Sequence, residues 1–135
     1  MQPLLPAHYE ELAKFKDVAS LAPDHQQYVR ADLEGRLLVL LAYAGMEVIG
    51  YAVTFQSASA HYERVNLAQN DVIYVKPEYR GGLTGFRLIK TTRKRARELW
   101  GTQLLTWHTK PDTPMDALMP RMGCEKLDHL WAERL

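Results

Sequence analysis

Cysteine is nearly absent from this chain of 135 residues: Cys124 stands alone, so no disulfide can form within it. The five histidines (His8, His25, His61, His108 and His129) follow no HxxxH or paired Cys/His spacing, so no metal is expected. Long apolar runs are missing too. The longest, Leu37 to Met46, is about half of what a bilayer span needs, which excludes a membrane segment of helical type. The opening MQPLLPAHYEEL lacks a basic stretch followed by an apolar one, so secretion finds no support and a cytosolic location is expected. No Gly-Lys-Ser/Thr occurs, which excludes a Walker A loop, and the GxGxxG pattern of dinucleotide-binding units is wanting. Without repeats, low-complexity tracts or a Gly/Ser/Pro-rich linker, residues 1–135 are expected to form a single domain.

The composition that remains, 47% hydrophobic and 24% charged, is that of an ordinary globular protein. Residues 7 to 20 set Tyr9, Leu12, Ala13, Phe15 and Ala19 at helical spacing, and Pro23-Asp24 opens a second helix running to about Glu34. Leu37 to Tyr43 and Glu47 to Gln56 read as a hairpin about Ala44, Gly45 and Met46, the first strand apolar enough to be covered on both faces. A strand from Asp71 to Lys76, a helix from near Thr84 ended by Gly101, and a strand from Gln103 to His108 follow. That order implies two parallel neighbours joined by a crossover. A short helix from Pro111 to Met122 and a last strand from Glu125 to about Glu133 complete the expected order. The fold class is mixed α/β: antiparallel hairpin strands leading into a parallel pair, with about four helices.

Charge is sparse in total, at +1, but uneven in place. Residues 76 to 97 hold eight basic side chains (Lys76, Arg80, Arg87, Lys90, Arg93, Lys94, Arg95, Arg97) against Glu78, a local +7 that leaves −6 for the remainder. At its head an apolar strand meets Pro77 and a turn carrying Arg80, Gly81, Gly82 and Gly85. Backbone N–H groups in such a turn and in the first turn of a helix have no internal partners, and the helix dipole adds positive charge there. A phosphate or pyrophosphate satisfies both. The field suits a compact anionic ligand better than a nucleic-acid track, with a solvated helix face as the plain alternative.

The string Arg80-Gly81-Gly82-Leu83-Thr84-Gly85, preceded by VKPEY, resembles the Arg/Gln-x-x-Gly-x-Gly/Ala signature of the GNAT superfamily of acyl-CoA N-acyltransferases, which opens a long helix after a strand. Leu83 departs from it, standing where the middle glycine is usual. Met122-Gly123-Cys124 resembles the Leu-Gly-Phe that closes the short helix in many members, and the likeness extends from about Leu4 through most of the chain. A narrower likeness, to small GNAT-like proteins of tailed phages and prophages, rests on the opening segment, His61-Tyr62, the DVIYVKPEYRGG block, His108-Thr109-Lys110 and LDHLWAERL.

The resemblance implies a sheet whose parallel strands splay, acetyl-CoA as co-substrate, and transfer of its acyl group by direct attack of a primary amine on a small molecule or a protein. It places the pyrophosphate on the N–H groups from Arg80 through Gly81, Gly82, Leu83 and Thr84 to Gly85, with Arg87 or Lys90 reaching the nucleotide phosphate. The pantetheine arm would pair with the backbone of Ile73, Tyr74 and Val75, one of whose N–H groups would stabilise the oxyanion. Asp112 stands for the asparagine that usually touches the pantetheine, and Met119 for the usual tyrosine acid. A homodimer is a family-level expectation.

An amine must be neutral to attack, so a base is needed. Asp71, at the start of the signature strand, and His108, at the end of the next, are the candidates; a turn-orienting carboxylate and a hydrogen-bonded rim histidine are their structural alternatives. Tyr74 can replace the missing acid if its hydroxyl meets the cleft, although strand alternation equally allows it to face the core. His61, Tyr62 and Glu63 sit on a loop that could line the acceptor side. Two other function classes compete: a catalytically silent GNAT-fold binding or virion structural protein, favoured by Met119 and Leu83, and a nucleic-acid binder using residues 87–97, disfavoured by the absence of interleaved aromatics.

Overall fold

The computed structural model describes residues 4–12, 24–58 and 64–135. The later part of the first expected helix, and His61, Tyr62 and Glu63, lie outside the described residues. Helices α1 (Leu5–Leu12) and α2 (His25–Leu33) come first, then strands β1 (Leu37–Ala44), β2 (Glu47–Ser57) and β3 (Leu67–Val75), helix α3 (Thr84–Trp100), strand β4 (Leu104–Trp107) and helix α4 (Pro114–Arg121). Strand order is β1-β2-β3-β4, antiparallel for the first two pairings and parallel for β3 with β4. The mixed α/β architecture with a parallel pair and four helices is as the sequence predicts. Among the described residues no helix is long and apolar enough to cross a membrane.

Strand alternation divides the core between the two sheet faces. Ala52, Ile73 and Val75 meet Leu88 and Ile89 of α3 and Met119 of α4 on one face. Tyr51, Val53 and Tyr74 meet Leu4, with Leu5 of α1 and Tyr28 of α2 beside them, on the other. Helix α3 buries Leu88, Ile89, Thr92 and Ala96, one stripe at helical spacing, while Leu99, assigned to that stripe by spacing, is 49% exposed near the helix end. Gly101, at φ +60°, ends α3 in the left-handed conformation that glycine adopts without strain. Trp100 Nε1 donates to Gly35 O at 2.8 Å, tying the end of α3 to the segment between α2 and β1.

Three expectations are corrected. β1, at the edge of the sheet, is covered on one face rather than both: Leu38 is buried, but Val39, Leu41 and Tyr43 are 40%, 39% and 56% exposed. An unbroken aliphatic run looks the same in sequence whether both faces are covered or one. The signature strand begins at Leu67, four residues before Asp71, because Leu67 to Asn70 pair with both β2 and β4. The last strand, expected over 125–133, does not form; Leu127, Leu130 and Trp131 are 70%, 92% and 87% exposed in a segment without regular structure. Its apolar residues do not alternate, so no register would bury them on one face.

Gly50 in β2 opposes Val75 in β3, and a Cβ built on it would lie 2.7 Å from Tyr74 O, a backbone atom that cannot swing away. Gly50→Ala is expected to lower stability by about 1–3 kcal/mol, the usual range for overpacking, as read from urea unfolding midpoints.

Candidate active site

The site begins where one ladder stops. β3 and β4 pair from Leu67–Leu104 to Asn70–Trp107; β4 ends there, whereas β3 continues for the five residues Asp71 to Val75, about 17 Å of strand edge. The phase of that edge follows from one bond. Lys76 N donates to Ile49 O of β2 at 2.8 Å, and successive residues of a strand turn their N–H and C=O to opposite edges. Tyr74 and Val72 therefore point towards β2, and Ile73 and Val75 point to the edge that β4 has left. Of the three residues expected to offer backbone groups to a ligand, Tyr74 faces the wrong way. Val75 O, on the open edge, accepts from Arg80 Nε at 2.7 Å.

After Val75 the chain passes through a single 3-10 turn, Pro77–Tyr79, then Arg80, Gly81 at φ +85° and Gly82, to Leu83, the N-cap of α3. Leucine has no side-chain acceptor, so the first N–H groups of α3 receive no side-chain cap, and no acid stands in its first turn. The first backbone bond back to the cap is Arg87 N to Leu83 O, at 2.8 Å. The donors of Thr84, Gly85 and Phe86 are therefore open to an external acceptor, as they would be with the usual glycine at position 83, which has no side-chain acceptor either. A Cβ added at Gly81 or Gly82 would meet nothing within 4 Å, so the loop borders open space. At Gly85 it would lie 3.3 Å from Met115 Cε; that glycine lets α4 approach α3. Arg80 Cζ lies 5.4 Å from the centroid of the Tyr74 ring, a cation–π contact that fixes its charge beside the cleft. Arg87 and Lys90 are exposed on the first turns of α3.

Asp71, on β3, and His108, just past the end of β4, are the residues that follow the last β3–β4 pair. The register thus sets both candidate bases at the fork where the strands part. Asp71 is exposed and is skipped by the β2–β3 register, which passes from Val53–Val72 to Thr54–Asn70. Such a bulge projects a side chain out of the regular alternation. Its Oδ2 accepts from Tyr28 Oη of α2 at 3.2 Å, and the Tyr28 ring lies 5.6 Å from that of Phe55. The Tyr28 pKa is raised from its ordinary value, first by burial and then by the charge and hydrogen bond of Asp71. His108 is exposed just beyond β4.

Tyr74 is 3% exposed, its ring 5.9 Å from that of Tyr51, so it belongs to the core and lacks the exposure an acid in the cleft requires. Asp112 occupies an exposed turn before α4 at φ +60°, a conformation aspartate tolerates. Met119 is 8% exposed and packs on the α3 side of the sheet. Sequence reasoning missed Tyr28 and Asn70. Nothing in the spacing of α2 marks Tyr28, since its partner lies 43 residues on. Asn70 stands between Gln69 and Asp71, so its polarity does not single it out in sequence, and only its burial does.

A model of the acetyltransferase (GNAT) family matches residues 5–124. No curated protein matches the chain. Among solved structures, an aminoglycoside acetyltransferase from an uncultured soil metagenomic sample superposes with a TM-score of 0.76 at 14% identity, covering 100% of this chain and 90% of that one. The ribosomal-protein-alanine N-acetyltransferase of Brucella melitensis biovar Abortus 2308 gives 0.67 at 19% identity, over 98% and 88%. AAC(6')-Iy in complex with the bisubstrate analog CoA-S-monomethyl-acetylneamine gives 0.67 at 17% identity, over 99% and 92%.

The Tyr28–Asp71 contact has a pH signature. A tyrosine whose folded pKa lies above its unfolded value of about 10 contributes stability that is fully present below that value and lost as pH rises through the folded one. Thermal midpoints recorded between about pH 8 and 11 should fall less steeply for Tyr28→Phe than for the wild type. Tyr51 and Tyr79 are also raised, so a residual slope should remain. Parallel curves for the two proteins would refute the assignment.

Proposed function

Because the chain belongs to the acetyltransferase (GNAT) family, we propose that it moves an acyl group, acetyl in the first instance, from acyl-CoA to a primary amine. The observation that carries this reading is the continuity of the five-residue open edge of β3 with the uncapped N-terminus of α3. An extended amide-bearing arm matches the first, and a diphosphate matches the second. The residues present fit the coenzyme: the amides from Arg80 to Gly85 would hold the pyrophosphate, Arg80 adds charge at the same edge, and Arg87 and Lys90 face the nucleotide phosphate. Asp112 is the proposed pantetheine contact on the far lip. On this reading residues 1–135 act as one acyl-CoA-binding domain.

When bound, the coenzyme supplies an activated thioester. The chain supplies the rest. The Ile73 and Val75 N–H groups donate towards charge developing on the acyl oxygen, a contribution of about 3 kcal/mol for one well-placed donor. Asp71 takes the proton of the incoming ammonium, with Tyr28 Oη holding its carboxylate in place, and His108 on the opposite lip is the alternative base. With Met119 buried, no tyrosine acid stands on α4; a thiol of pKa near about 8.5 leaves tolerably as thiolate. An amine acceptor, on a small molecule or a protein, is supported by solved structures of acetyltransferases that act on aminoglycosides and on a ribosomal protein. The same buried Met119 favours a second reading, a coenzyme-binding protein without turnover.

Acetyl-CoA at a hundred times its Kd should stabilise the fold by about 2.7 kcal/mol, and thiol release on a panel of amines should follow. Stabilisation without thiol release selects the second reading; no thermal shift at millimolar coenzyme removes both. Arg80→Ala should weaken acetyl-CoA binding by about tenfold through the lost charge-assisted contacts. Asp71→Asn should lower kcat by about two orders of magnitude and flatten the acidic limb of the pH–rate profile, while leaving the acetyl-CoA thermal shift intact. A variant that keeps wild-type kcat and pH profile shifts the base to His108.

A further inference from the structure

Asn70 is fully buried, and among the described residues its Oδ1 is the buried side-chain oxygen that has no hydrogen-bond partner. Burying an acceptor without a donor is unfavourable, and a leucine of similar volume would avoid the penalty. The other end of the amide accounts for the asparagine. Its Nδ2 lies 3.0 Å from Val53 O, 3.1 Å from Val72 O and 3.2 Å from Thr54 Oγ1. Val53–Val72 is the last matched pair before the register skips Asp71, and Thr54 is the first β2 residue beyond it. One amide group therefore grips both strands on both sides of the irregularity. Turning it over would press Oδ1 against two carbonyl oxygens, so the orientation is determined by its acceptors.

We propose that Asn70 is a positioning residue that locks the β3 bulge, directing the Asp71 carboxylate outward to Tyr28 and the Ile73 N–H into the fork. Asn70 itself touches no substrate. It is the last β3 residue paired to β4, so the clamp sits at the point from which the open edge departs. Were it lost, the ladder could shift by one residue, and a one-residue slip exchanges the faces of every side chain beyond it. The consequence for turnover rests on the acyl-transfer reading given above; the consequence for the bulge does not.

Two variants test this: Asn70→Leu, which keeps the volume and deletes the amide, and Asn70→Ser, which is smaller and keeps one donor. Backbone amide exchange at Val72 and Tyr74, followed by NMR, should quicken by about tenfold relative to amides of the β1–β2 hairpin. Affinity for ADP, which carries a diphosphate without the pantetheine arm, should change by less than about threefold, because the loop from Arg80 to Gly85 is untouched. The kcat at saturating acetyl-CoA should fall by about tenfold or more, as expected when groups acting in the transition state are misplaced. Exchange that quickens uniformly over the sheet, or is unchanged in both variants, overturns the proposal. If Asn70→Leu does not fold, the serine variant decides alone: local quickening supports the clamp and wild-type exchange refutes it. Should the wild type bind acetyl-CoA yet release no thiol with any amine, only the transfer reading fails, and the exchange pattern still decides the role of Asn70.

Discussion

The end of the β3–β4 ladder at Asn70–Trp107 is the constraint from which the site follows. A paired strand has no backbone groups to offer. By stopping four residues after it starts, β4 leaves the distal half of β3 with N–H groups whose partners must come from elsewhere. An unpaired edge is a liability in most sheets. Here it lies where β3 and β4 part, with α3 packed on one face of the sheet. The same termination sets Asp71 and His108 at the fork.

Two kinds of unsatisfied backbone meet at this place. The strand edge presents donors and acceptors along an extended line, and the N-terminus of α3 presents donors alone, concentrated at a point and aided by the dipole. The basic residues extend that positive end along α3, but they differ in use. Lys94 and Arg95 both approach Glu98, Arg93 Nη2 donates to Met122 O at 2.7 Å and Lys76 pairs with Glu47 at 2.5 Å. Arg80, held by Val75 O and the Tyr74 ring, is the basic residue built into the fork. Half of the basic cluster thus serves local structure, so the proposed anion site rests on geometry more than on the charge count.

Burial explains why the expected role of Tyr74 weakened and why Met119, where a tyrosine acid is usual, belongs to the packing. Tyr74 and Met119 are absorbed by the two cores on opposite faces of the sheet. On the proposed reading the chemistry falls in consequence to backbone groups and to the exposed pair Asp71 and His108. Tyr28, reaching Asp71 from a helix remote in sequence, makes α2 part of the wall.

Periodicity and turn chemistry, which are local, determined the hairpin about Gly45, the stripe of α3, its stop at Gly101 and the glycine-bearing turn from Arg80 to Gly85. These were legible because each depends on residues within a few positions of one another. Pairing decided the remainder: that β3 starts at Leu67, that β1 is an edge, that residues 125–133 form no strand, that Asp71 is bulged outward and that Tyr28 and Asn70 serve it. Strand partners and bulges are fixed by contacts across tens of residues. No local pattern of side chains encodes which neighbour a strand will find or where that neighbour will end.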